Sequence, residues 1–143
     1  MITIRSVQPH EKQAVLEFEE RVSNEKNITS AYDMMSLIRC GYVLVAKKED
    51  MIVGLLIAMR TTQNEIEVLD WLVDSNFRRK GIGKQLYQTL ARSAGNIPIN
   101  ALVRCDNVAS VAAHEKMFFT KKEKIIDPYG LGEDHAWWYM QKQ

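Results

Sequence analysis

The residues best equipped to do chemistry lie in one run, Arg78-Arg79-Lys80-Gly81-Ile82-Gly83-Lys84. Arg78, Arg79, Lys80 and Lys84 bring positive charge. Gly81 and Gly83 lack Cβ atoms, so an anion can approach the main chain closely. The run follows an apolar stretch that ends at Val73 and opens a stretch with helical periodicity from Ile82. A helix N-terminus presents unpaired N–H groups and the positive end of a dipole. Strand, short polar loop (Asp74-Ser75-Asn76), basic glycine turn and helix together predict a cradle for a pyrophosphate. Two familiar cradles do not fit. A Walker loop needs four residues between its glycines and then Gly-Lys-Ser/Thr, whereas here Gly81 and Gly83 are one residue apart and Gln85 follows Lys84. A dinucleotide fingerprint would place its third glycine at Leu86.

Titratable groups accompany the cradle. Glu65, Glu67 and Asp70 lie on the preceding stretch, and His114 lies downstream. An imidazole, with a reference pKa of about 6.5, suits a proton donor near neutral pH. Tyr129 and Tyr139 are secondary phenols. His10, His114 and His135 show no metal-ligand spacing with Cys40 or Cys105, so no metal is expected.

The elements that must position these groups follow from periodicity. Ile2 to Val7 reads as a short edge strand. Pro9 opens a helix whose stripe is Val15, Phe18 and Val22. Ser23 to Thr29 is a polar loop. Ser30-x-x-Asp33 starts a second helix with Ala31, Met34, Met35 and Ile38 on its apolar face, and Gly41 stops it. Tyr42–Ala46 and Met51–Met59 form a hairpin across the charged turn Lys47–Asp50. Glu65 to Val73 is a third strand, alternating strictly at its start. The helix from Ile82 carries Leu86, Leu90 and Ala94 and ends at Gly95-Asn96. A strand over Ile97–Val103, a helix over Asn107–Phe118 and strands over Lys121–Ile126 and His135–Gln141 complete the order β α α β β β α β α β β. Hairpins mixed with helical crossovers imply an α/β chain of the α+β kind, with a mixed sheet and helices on both faces. With no repeat, low-complexity segment or linker, residues 1–143 read as one domain.

Arg78-x-x-Gly81-x-Gly83, placed after a strand ending in Val73 and a short loop, resembles the signature of the GCN5-related N-acetyltransferases (GNAT). Ser75 replaces a frequent Pro. A second match lies downstream, where Asn107 opens a helix that ends in Phe118-Phe119. Relatives have Gly-Phe there, so Phe118 stands where Gly is usual. The resemblance covers nearly the whole chain. It implies a mostly antiparallel central sheet of six to seven strands flanked by four helices and splayed between its fourth and fifth strands around acetyl-coenzyme A.

The resemblance also implies roles. Trp71, Leu72 and Val73 would bond the pantetheine arm through their main chain, with an N–H near Val73 polarising the thioester carbonyl. Arg78, Arg79, Lys80, Gly81, Ile82, Gly83 and Lys84 would hold the pyrophosphate, and Asn107 the pantetheine or phosphate arm. Glu67 occupies the position of the glutamate base of histone-modifying members. His114 stands where many relatives have a Tyr acting as general acid. Leu102 replaces the second glutamate of some ribosomal-protein acetyltransferases. The acceptor would enter between Ser23–Thr29 and Asp127–Asp134, where Glu25, Asp127, Glu133 and Asp134 form an acidic rim suited to a cationic amine.

The expected activity is transfer of an acetyl group from acetyl-CoA to a primary amine of a small molecule or protein. The alternative is a non-catalytic acyl-CoA sensor or interaction module. Composition excludes more than it selects. Hydrophobic residues are 46%, charged residues 26% and the net charge is +1, so no global field favours nucleic acid or an anionic membrane. The N-terminus lacks a long apolar run, and no stretch approaches the roughly 20 apolar residues of a membrane span. The 2 cysteines read as reduced thiols. These features give the expectation of a cytoplasmic protein, and the resemblance leaves room for a homodimer.

Overall fold

A computed structural model describes residues 1–23 and 29–142. The strands are β1 (Ile2–Ser6), β2 (Tyr42–Lys48), β3 (Met51–Arg60), β4 (Ile66–Val73), β5 (Ile99–Arg104), β6 (Thr120–Ile126) and β7 (Ala136–Lys142). The helices are α1 (Lys12–Ser23), α2 (Ala31–Cys40), α3 (Ile82–Ala94) and α4 (Val108–Lys116). The strands form one sheet in the order β1-β2-β3-β4-β5-β7-β6. Every neighbouring pair is antiparallel except β4 and β5. The mixed, mostly antiparallel sheet with four helices is the expected fold. Among the described residues no helix is long and apolar enough to cross a membrane.

The apolar runs of β2 and β3 are unbroken because both sheet faces are covered. Val43, Val45, Leu55 and Ile57 pack with Val15, Phe18 and Met34 of α1 and α2. Their sequence neighbours Leu44, Ala46, Leu56 and Ala58 pack with Ile82, Leu86 and Leu90 of α3 on the other face. The predicted cap of α2 is present, with Ser30 Oγ accepting from the Asp33 N–H at 3.1 Å. Gly41 ends that helix for a reason other than left-handed geometry. Its φ is −108°, and a Cβ there would come within 2.9 Å of the Ala58 carbonyl oxygen.

Gly54 sets the spacing between β3 and α3. A Cβ at this position would lie 3.0 Å from Ile82 Cγ2, 3.1 Å from Leu86 Cδ1 and 3.2 Å from Ala46 Cβ. Strand propensity alone favours a β-branched residue over glycine here. Overpacking reverses the sign, so Gly54→Val is expected to lose roughly 1–3 kcal/mol of stability. Urea denaturation checks this, and an unchanged or higher midpoint would contradict it.

One irregularity in β4 shapes everything downstream. The β3–β4 register runs from Gly54↔Val73 to Ile57↔Asp70 and resumes at Ala58↔Val68. Leu69 is therefore an unopposed extra residue, a β-bulge. The bulge shifts the alternation by one. Ile66 and Val68 face α3, and beyond the bulge Trp71 and Val73 face it too. Glu67, Asp70 and Leu72 are left on the face that carries α1 and α2. Pairing with β5 stops at the same place, since it covers only Ile66↔Ile99, Glu67↔Asn100 and Val68↔Ala101. The strict alternation expected of the whole third strand holds only up to Val68.

Candidate functional site

Beyond Val68, β4 runs free of β5 while β5 continues along β7 to Arg104. The sheet is thus splayed between its fourth and fifth strands. At the closed end a polar cluster joins the strands. Asn100 Nδ2 donates to Glu65 Oε1 at 3.2 Å, while Gln141 Nε2 donates to Glu65 Oε2 at 3.1 Å and to Asn100 Oδ1 at 2.8 Å. Asn100 is fully buried, and these bonds satisfy its carboxamide.

The main chain facing the opening follows from register. The Asp74 N–H donates to the Val53 carbonyl at 2.9 Å. In an antiparallel ladder the groups alternate in direction. Leu72, in step with Asp74, therefore turns its N–H and carbonyl toward Leu55 of β3, while those of Trp71 and Val73 face the opening. This corrects the expectation that all three serve a ligand's arm. Leu72 is occupied by the β3 ladder, and its side chain packs beneath α1 and α2. The Trp71 N–H is taken by Asp70 Oδ1 at 3.1 Å, and the Val73 carbonyl accepts from Arg78 Nε at 3.3 Å. The Val73 N–H points into the opening.

The opening leads to a cavity of about 600 Å³ between the start of α3 and one face of α4. Val73, Arg78, Arg79, Gly81, Gly83 and Lys84 line it, together with the ring of Trp71 and the side chain of Ile82. The loop is held in a specific shape. Arg79 and Gly81 have φ of +63° and +77°, a left-handed conformation that turns successive amides to one side. Asp74, nearly buried, accepts from the Asn76 N–H at 2.9 Å and pairs with Arg21 of α1 at 2.8 Å. The Arg21 guanidinium, then the Asn76 N–H, hold the Asp74 carboxyl below its usual range. Trp71 Nε1 donates to the Gly83 carbonyl at 3.1 Å, which ties β4 to the first turn of α3. A Cβ at Gly83 would meet Trp71 Nε1 at 3.5 Å and Val73 Cγ2 at 3.6 Å, both in the cavity wall. An unpaired helix N-terminus, a glycine-opened wall and a basic rim fit a diphosphate-bearing ligand with an extended arm.

Three predicted residues stand elsewhere. Lys80 does not line the cavity, and its ammonium lies 5.4 Å from the Phe77 ring centre. Asn107 is the N-cap of α4, its side-chain oxygen accepting from the Ser110 N–H at 3.1 Å, and it too is outside the cavity wall. Glu67 lies on the opposite sheet face from α3, where burial raises its pKa. Sequence reasoning missed Phe77, Ser110, Ala113, Lys116 and Met117, all of which line the cavity. The signal was available in α4, because Ser110, Ala113, His114 and Met117 repeat at helical spacing on one face.

His114 is buried in that wall, edge-on to Trp71 at 5.1 Å and to Phe119 at 5.3 Å. Its Nδ1 lies 2.7 Å from the Ser110 carbonyl, which can only accept, so Nδ1 carries a hydrogen, and in the neutral ring the lone pair is on Nε2. Burial lowers its pKa, with the Ser110 bond acting the other way. Burial thus opposes the imidazolium that a proton-donor role requires. Phe118 adopts φ +69°, which accounts for a glycine being usual there.

The other side of the opening carries different chemistry. Met140 and Trp138 pack with the α3-side core, so Trp137, Tyr139 and Gln141 face the same way as Glu67. Tyr129 packs edge-on against Trp137 at 5.4 Å. Of the expected acidic rim, Glu25 lies outside the described residues, as does most of the loop between α1 and α2. Glu133 lies 3.7 Å from His135. Among the described residues no group of three His, Cys, Asp or Glu is placed to hold a metal.

No match is found among curated protein sequences. Solved structures share the fold. Ard1 from Thermoplasma volcanium is 21% identical with a TM-score of 0.79, covering 99% of this chain and 96% of that one. The ribosomal-protein-S18-alanine N-acetyltransferase from Escherichia coli is 20% identical with a TM-score of 0.81, covering 99% and 92%. Naa50 from Arabidopsis thaliana, in complex with the bisubstrate analogue CoA-Ac-MVNAL, is 15% identical with a TM-score of 0.82, covering 99% and 98%. At these identities the likeness is one of fold. Residues 10–119, which run from the turn before α1 through the splayed strands to the end of the cavity wall, match the acetyltransferase (GNAT) family, and the chain belongs to it.

Proposed function

We propose that the protein transfers an acetyl group from acetyl-CoA to a primary amine of a small molecule or protein. The observation that carries this reading is the splay at the Leu69 bulge. It opens the sheet to a glycine-turned helix N-terminus on one face and to a half-buried carboxylate, Glu67, on the other. Neighbours of the same fold bind acetyl-CoA or a CoA conjugate, which supports it.

In this reading the α3 N-terminus and Arg78, Arg79 and Lys84 bind the pyrophosphate. Trp71 and Val73 edge the pantetheine arm, and the Val73 N–H donates to the thioester oxygen. Acetyl-CoA supplies an activated acyl group whose leaving group is a thiolate. Glu67 takes a proton from the acceptor ammonium, directly or through one water. His114 shapes the cavity wall as a neutral imidazole with a lone pair on Nε2; the C–S bond breaks, the thiolate departs without a proton from His114, and the second amine proton passes to solvent.

Calorimetry with acetyl-CoA, followed by thiol release against lysine peptides, N-terminal peptides, polyamines and aminoglycosides, tests the proposal. Binding in the micromolar range and turnover of one amine class are expected. Binding with no turnover of any amine would favour the acyl-CoA sensor, which the missing acid at His114 makes worth the comparison. No binding by folded protein would overturn both.

A further inference from the structure

The resemblance gives Lys80 to the pyrophosphate, yet Lys80 does not line the cavity. Its ammonium lies over the ring of Phe77, 5.4 Å from the centre. A second ammonium shares that ring. Lys48, the last residue of β2, reaches 5.6 Å from the same centre. Sheet register explains the meeting. Lys48 pairs with Met51 across the β2–β3 hairpin, and Gly54 lies opposite Val73. The hairpin end therefore projects past the end of β4, beside the turn that leads to α3. The Asp74 N–H fastens that turn to the Val53 carbonyl, and the Phe77 N–H closes it on the Asp74 carbonyl at 2.8 Å. Phe77 packs partly buried against the core and also lines the cavity. One ring thus borders the cavity and carries two cations that stand clear of its lining.

Like charges gathered on one ring repel each other. An aromatic face returns only about 0.5–1 kcal/mol per ammonium at an exposed site. Both lysines are exposed. Glu49 and Asp50 follow Lys48 in the hairpin turn, yet among the described residues no carboxylate forms an ion pair with Lys48 or Lys80. The neighbouring Lys47, by contrast, reaches Glu11 at 3.7 Å. In the proposed reading the α3 N-terminus, Arg78, Arg79 and Lys84 take the diphosphate. The rim then has two cations to spare, next to the same cavity. They suit one more anion of about two charges on the same ligand. Coenzyme A carries such a group, the 3′-phosphate of its ribose, a monoester with a charge of about −1.5 to −2 at neutral pH.

We infer that Lys48 and Lys80 bind the 3′-phosphate of acetyl-CoA and make the protein select CoA over its 3′-dephospho form. The inference rests on the acetyl-transfer reading. Lysine suits the task because it meets phosphate as a compact point charge on a flexible stem. Phe77 gathers the two ammoniums at the rim.

Calorimetry with CoA and with 3′-dephospho-CoA tests it on wild type, Lys48→Ala, Lys80→Ala, the double alanine variant and Lys48→Arg. Wild type is expected to bind CoA roughly 10-fold more tightly than 3′-dephospho-CoA. Each alanine variant should weaken CoA binding roughly 3- to 10-fold, the effect of one partly screened charge on a dianion. The 3′-dephospho-CoA Kd should stay within about 2-fold of wild type in every variant. The double variant should bind both ligands alike, and Lys48→Arg, which keeps the charge, should keep most of the preference. Added salt should erode the wild-type preference. Alanine variants that weaken both ligands equally would show a role in the fold alone and overturn the inference. Equal affinity of wild type for the two ligands, or a preference that survives in the double variant, would also overturn it, and either result leaves the transfer reading standing. No binding of CoA by folded wild type would overturn both.

Discussion

Gly83→Glu is expected to weaken acetyl-CoA binding by about 100-fold or more, close to 3 kcal/mol, with little change in stability. Gly83 lies in the first turn of α3 without a positive φ, and a Cβ there makes only ordinary contacts with Trp71 and Val73. A carboxylate in the first turn is favoured by the helix dipole. The fold therefore accepts the substitution. The added side chain enters the cavity wall and sets a negative charge among the N–H groups that a pyrophosphate needs, so ligand contacts are lost and like charges meet. Gly81 supplies the contrast. Its φ of +77° strains any side chain, yet a Cβ there meets nothing within 4 Å. Gly81→Ala is expected to cost about 1 kcal/mol of stability with a milder loss of binding. Calorimetry and thermal melts separate the two. Wild-type affinity in Gly83→Glu would place the pyrophosphate elsewhere.

The elements were legible because their signals are spread over many residues. The helical stripe from Ile82 to Ala94 and the doubly buried strands β2 and β3 leave little room for another reading. The cradle was legible because glycine and cation types are tied to its chemistry. What escaped depends on single residues and on register. The bulge at Leu69 is one extra residue in an apolar run, marked only by Val68-Leu69-Asp70-Trp71 falling out of phase. Yet that residue ends pairing with β5 and decides that Trp71 and Val73, rather than Leu72, present their main chain to the opening. Asn107 illustrates a different limit. The same Asn suits a ligand contact and a helix cap, and the structure shows the cap. Asp127 reads as a surface acid until its two oxygens are found inside its own loop. His114 has the residue type of a proton donor, but burial lowers its pKa and the Ser110 carbonyl holds the hydrogen on Nδ1, which no spacing reveals.

Glu67→Gln is expected to lower kcat by about 100-fold or more, the range that general-base catalysis commonly contributes, with the acetyl-CoA Kd unchanged. The pH profile carries the stronger test. Burial raises the Glu67 pKa, so the carboxylate that accepts the proton forms at a higher pH than that of an exposed glutamate. Wild-type kcat should climb with pH through that raised value, and the Gln variant should lose this limb. Stability moves the other way. A pKa raised in the folded state means that the native protein holds the proton more tightly than the unfolded chain does. That contribution is fully present below the unfolded pKa and is lost as pH rises through the folded one. At neutral pH the ionised Glu67 is thus unfavourably placed, and a neutral Gln relieves it. Glu67→Gln should melt at the same temperature as wild type or higher at pH 7, and its advantage should vanish in acid. A residue kept for structure would lose stability and rate together. Loss of rate with stability retained identifies a carboxylate kept in a poor environment for its chemistry. An unchanged kcat and pH limb would remove Glu67 from the reaction and leave Asp70, on the same face, as the carboxylate to test.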